Sequence, residues 1–71
     1  VIQPPTHYAA SALHTGDVVE ICGRTETVAK VATTTAPALP GFTVEVFVTS
    51  APADDPFLFR PDTPVWVIAR P

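Results

Sequence analysis

The chain has 71 residues, of which 46% are hydrophobic and 15% charged, with a net charge of −3 and one cysteine, Cys22. That hydrophobic content excludes simple disorder, and a lone cysteine excludes an internal disulfide. No run approaches the roughly 20 apolar residues of a membrane-spanning helix. The four basic residues, Arg24, Lys30, Arg60 and Arg70, are scattered along the chain, which argues against a nucleic-acid face, where lysines and arginines cluster.

A chain of this length holds one core and buries only about 60% of the surface its unfolded form exposes. With no disulfide and no evident cluster of metal ligands, its stability must come from strand packing, a partner or self-association. The amino end, Val1-Ile2-Gln3-Pro4-Pro5, has neither the basic nor the long apolar region of a signal peptide. Together with the lone cysteine, which suits a reducing compartment, this gives the expectation of a cytoplasmic protein. The chain does not begin with Met, so its start is expected to be processed or its sequence an excerpt of a longer one.

Residues 1–6 contain adjacent prolines and are expected to run extended as an arm. Residues 7–13 (HYAASAL) suit one helical turn with Thr6 as its cap. The chain therefore divides into an N-terminal arm over 1–13 and a barrel domain over 14–71. His14-Thr15-Gly16-Asp17 reads as a turn in which Gly16 takes positive φ.

Five short strands follow. Residues 17–22 (DVVEIC) place Val19 and Ile21 on one face and Val18, Glu20 and Cys22 on the other. A tight Gly23-Arg24 connection leads into 25–35 (TETVAKVATTT). There Val28 and Val31 have opposite parity, so both point inward only if a bulge lies near Ala29-Lys30. After the 36–41 loop, 42–49 (FTVEVFVT) alternates cleanly, with Phe42, Val44, Val46 and Val48 against Thr43, Glu45, Phe47 and Thr49. A loop over 50–56, a short strand over 57–60, a Pro61-Asp62-Thr63-Pro64 turn and a last strand over 65–70 complete the chain.

Short curved strands in this order predict an all-β fold, a small five-stranded barrel that removes sheet edges by closing on itself. The pattern Leu13-x-x-Gly16-Asp17-Val18-Val19, Gly23-Arg24, Thr27-Val28 and Phe59-x-Pro61-Asp62-x-Pro64-Val65 resembles small uncharacterised SH3-like proteins of actinobacteria and their phages, over about residues 13–70. The resemblance implies an SH3-like barrel, with a one-turn break before the final strand, and carries no activity. Gly16 to Val19, Val28-Ala29 and Pro64-Val65-Trp66 are also similar to phage head-decoration proteins; Thr25-Glu26-Thr27 departs from the Gly-rich second strand of that group.

Chemistry-bearing residues are few. His7, His14 and Cys22 are the only soft metal ligands, and even with Asp17 they lack the tight pairing of zinc sites. Cys22, His14 and Asp17 contain the residue types of a nucleophile site with nothing to impose its geometry. Ser11 and Ser50 lack a G-x-S-x-G context, Asp54-Asp55 is too small an array for calcium, and the three glycines form no phosphate loop. The reading is therefore of a chain with no catalytic residues, no metal and no cofactor.

The outward strand faces say more. With Val44, Val46, Val65 and Val67 inside, Phe47, Trp66 and Ile68 point out, joined by Val18. Displayed aromatics and aliphatics are what partner surfaces are made of. The competing reading folds the arm, with Val1, Ile2 and Tyr8, over that face; both hold if the arm docks on a neighbouring subunit. The arm's Pro4 and Pro5 preorganise it for contact. The candidate partner-binding set is thus Trp66, Phe47, Ile68, Val18, Val1, Ile2, Pro4 and Pro5. The expectation is a non-enzymatic protein–protein or structural module, docked on a larger assembly such as a phage capsid. The alternative is a small regulatory nucleic-acid-binding barrel, against which the acidic balance counts.

Overall fold

A strand that alternates Val-Glu-Val-Phe-Val has one face for a core and one for its surroundings, and that alternation organises the whole molecule. The computed structural model describes residues 5–52 and 54–71. Six strands run in chain order: β1 (Thr6–Ala9), β2 (Val18–Ile21), β3 (Arg24–Thr33), β4 (Val44–Val48), β5 (Phe57–Phe59) and β6 (Pro64–Ala69). Every ladder is antiparallel, and the spatial order is β1-β6-β2-β3-β4-β5.

The fold is all-β, as expected, but with six strands and not five. The sheet is also open: β1 and β5 are its edges and no ladder joins them, so the expected closed barrel is not formed. The added strand is β1. A helical turn was expected across 7–13; instead Thr6–Ala9 pairs with β6, in the register Thr6↔Val67, His7↔Trp66, Tyr8↔Val65 and Ala9↔Pro64. Only Ala10–Ala12 winds, as a short 3₁₀ turn. Its entry is pinned by the Ala10 N–H donating to the Thr63 carbonyl at 2.9 Å and the Ser11 N–H donating to the Pro61 carbonyl at 3.1 Å. Those two bonds hold the segment against the β5–β6 turn, where an isolated turn of this length would not persist.

β3 carries the curvature. Its first residues pair with β2 (Glu26↔Val19) and its later ones with β4 (Val28↔Val48, Lys30↔Phe47, Val31↔Val46), with a register shift between Val28 and Lys30. Ala29 is the extra residue, so the bulge expected from the opposite parity of Val28 and Val31 lies where the parity requires it. β2 and β3 are joined by a two-residue hairpin loop, Cys22-Gly23, with φ of 53° and 76°. Two consecutive positive φ values make it the primed turn whose twist matches that of the strands. The tight connection thus sits one residue earlier than expected, and Arg24 opens β3.

The core is mostly valine: Val19, Val28, Val44, Val46, Val48, Val65 and Val67 are buried, with Ile21, Ala10 and Leu13. Ala10 and Leu13 come from the 3₁₀ turn and its exit, which touches β4. β-branched side chains give up little rotamer freedom on a pleated surface, which suits a core this small.

Candidate functional site

The inward valines fix what faces out. Trp66 lies between buried Val65 and Val67, so its ring stands on the outer face, half-buried. Beside it in β1 is His7, whose ring lies 4.8 Å from the indole at an interplanar angle of 59°. On the other flank Glu20 of β2 is its cross-strand partner. The β2–β6 ladder reads Val18↔Ala69, Val19↔Val67 and Glu20↔Trp66. Beyond Glu20–Trp66 lies an open groove of about 290 Å³, lined by Glu20, Cys22, Phe59, Pro64 and Trp66 with His7 at its side.

Ile68 is the extra residue of a second irregularity, because Val18 pairs with Ala69 while Val19 pairs with Val67. It is one of the exposed large hydrophobics, at 36%. Val18, Trp66 and Ile68 therefore share one outward region. Phe47 does not join them: β2 and β3 separate its strand from β6, and Lys30 lies over its ring at 5.2 Å. Tyr8, which the competing reading placed over the outer face with the arm, is opposite Val65 and packs against the core. Val1, Ile2 and Pro4 lie outside the described residues; Pro5 is exposed just ahead of β1.

The soft ligands are dispersed. His7 stands beside Trp66, Cys22 sits exposed in the β2–β3 turn, and the His14 N–H donates to the Asp17 carboxylate at 2.8 Å. Among the described residues no three His, Cys, Asp or Glu side chains come together as a metal cluster.

Two acids are buried, Asp17 and Glu26. Asp17 is fully buried and held by Arg70, whose Nε donates to Oδ1 at 2.9 Å and Nη2 to Oδ2 at 2.8 Å. Arg70 Nη2 also donates to the Ala12 carbonyl at 3.1 Å, and the guanidinium lies 4.1 Å from the centre of the Tyr8 ring. Burial pushes the Asp17 carboxyl up, but the Arg70 hydrogen bonds, the His14 N–H and the nearby positive charge together hold it below its ordinary value of 3.8. Glu26 is buried on the inner side of β3, where the Ser50 hydroxyl donates to Oε1 and Arg24 Nε lies 3.7 Å from Oε2. Its one sequence signal is parity: Glu26 shares a face with Val28. Asp17 has no local signal, since its partner is 53 residues away.

Comparison with protein-family models, with curated proteins and with solved structures found no match.

Proposed function

We propose that this protein is a non-enzymatic interaction module that docks on a larger protein assembly through the outward face around Trp66, with Val18 and Ile68 beside it. The observation that carries the reading is the contrast between the two faces of β6. Val65 and Val67 are buried, while Trp66 between them lines an open groove and Ile68 beyond them is exposed. A tryptophan at the rim of a concave site is a common anchor for a protein partner. The buried acids are occupied structurally, Asp17 by Arg70 and Glu26 by Ser50 and Arg24, which leaves them poorly placed for chemistry on a substrate.

We read the strand arrangement as SH3-like in connectivity. The run β6-β2-β3-β4-β5, the bulged β3 shared between two ladders and the single turn before β6 support that reading; β1 is then an addition outside β6. A capsid or other virion surface is the kind of assembly proposed. The experiment is the native mass of the protein isolated from its source, beside that of Trp66→Ala. The wild type is expected in a complex far above 7.5 kDa, and the variant is expected free but folded. A variant that stays in the complex, or a wild type that runs as a lone monomer, would sink the proposal.

A further inference from the structure

Every basic side chain of this protein already has a partner within the chain. Arg24 reaches Glu26, Arg70 holds Asp17 and covers Tyr8, Lys30 lies over Phe47, and Arg60 lies 5.3 Å from the centre of the Phe42 ring. The acids are not so matched. Among the described residues, Glu20, Glu45, Asp54, Asp55 and Asp62 have no ion pair. The excess of negative charge in the net −3 is therefore free to act on a partner.

Three aromatic rings thus carry a cation from this chain. Trp66, the strongest cation-binding ring type, has an imidazole on one side and an unpaired carboxylate, Glu20, on the other. An indole face and a free carboxylate side by side at the rim of a groove make a receptor for a flat cation. We propose that the Trp66 groove receives an arginine side chain from a basic segment of a protein partner. Its guanidinium lies against the indole and its N–H groups donate to the Glu20 carboxylate. Arginine fits better than lysine because the guanidinium is planar, weakly hydrated and forked, so it stacks and binds a carboxylate at once. This inference rests on the docking role given above and adds the chemistry of the partner.

The protein has one tryptophan, so its emission reports this site directly. The probes are the capped peptide acetyl-Gly-Arg-Gly-Arg-Gly-amide and its lysine and norleucine counterparts, titrated into the intact chain. The arginine peptide is expected to change Trp66 emission saturably, the lysine peptide more weakly and the norleucine peptide not at all. Glu20 is exposed, so Glu20→Gln should unfold at the wild-type midpoint yet bind the arginine peptide about tenfold more weakly, the loss of one charge-assisted contact. Glu45→Gln, on β4, should bind as the wild type does. Equal binding of the norleucine and arginine peptides, or unaltered binding by Glu20→Gln, overturns the inference. If arginine selectivity fails while Trp66→Ala still releases the protein from its native complex, the cationic partner is wrong and the docking face stands. If Trp66→Ala leaves that complex intact, the docking face is wrong as well.

Discussion

Asp17 and Glu26 are both buried carboxylates on neighbouring strands or their approaches, yet their surroundings differ. Asp17 has a bidentate arginine, a backbone N–H and no exposure, and its partner Arg70 is itself four-fifths covered. Glu26 has a serine hydroxyl and an arginine at 3.7 Å whose side chain is 73% exposed. The first acid ties the approach to β2 to the end of β6. The second seals the space between β3 and the turn after β4. Burial alone therefore does not say how much a charge matters; what counts is how many of its partners are shielded from water with it.

The sharpest way to break the comparison is to remove Arg70. Arg70→Leu leaves Asp17 buried without its counter-charge and should lose about 3–5 kcal/mol. For a chain of this length the total is only about 4–10 kcal/mol, so the urea midpoint should fall by about a third or more. A loss below about 1 kcal/mol would show that water reaches Asp17 freely and that the two corners are alike.

Acid titration tests the Asp17 corner next. The folded Asp17 carboxyl binds its proton less readily than the unfolded one, whose ordinary value is 3.8. Its contribution is therefore complete above about pH 4–5 and fades as the pH falls through the still lower folded value. Stability measured by urea unfolding from pH 6 downward should decline in that acid range in the wild type. It should decline less steeply in Asp17→Asn; equal slopes would remove Asp17 as the source.

Smaller effects are expected at the Glu26 corner. Ser50→Ala withdraws a hydroxyl from a buried oxygen and should lower stability by about 1–2 kcal/mol, read as a shift in urea midpoint with an unchanged slope. Arg24→Ala should change stability by no more than about 0.5 kcal/mol, since its contact is long and solvated. An Arg24→Ala loss matching that of Arg70→Leu would overturn the contrast between a shielded and a solvated partner.

How much of this was legible in the sequence follows from the range of each interaction. The alternation of 44–48 announced β4 and its faces, and the parity of Val28 and Val31 announced the bulge at Ala29, because both are local consequences of the pleat. β1 was hidden. Thr6-His7-Tyr8-Ala9 is a short edge strand that runs into an alanine-rich turn, and its strand state depends on β6, nearly 60 positions later. The outward position of Trp66 was readable from its valine neighbours, whereas its flanking residues, His7 and Glu20, were not. They arrive from two other strands, and only the ladder registers bring them together. The Asp17–Arg70 pair was invisible for the same reason.

β6 lies between β1 and β2 in space and after all the other strands along the chain. The β2–β3, β3–β4 and β4–β5 ladders join consecutive strands, whereas β1 has β6 as its one ladder partner among the described residues. Strand β6 brings Trp66, and with it the residue that stands between His7 and Glu20. A nascent chain stopped short of residue 64 thus has no such surface to offer. The surface around Trp66 is therefore made by three strands, β1, β2 and β6, and no hairpin of consecutive strands contains it.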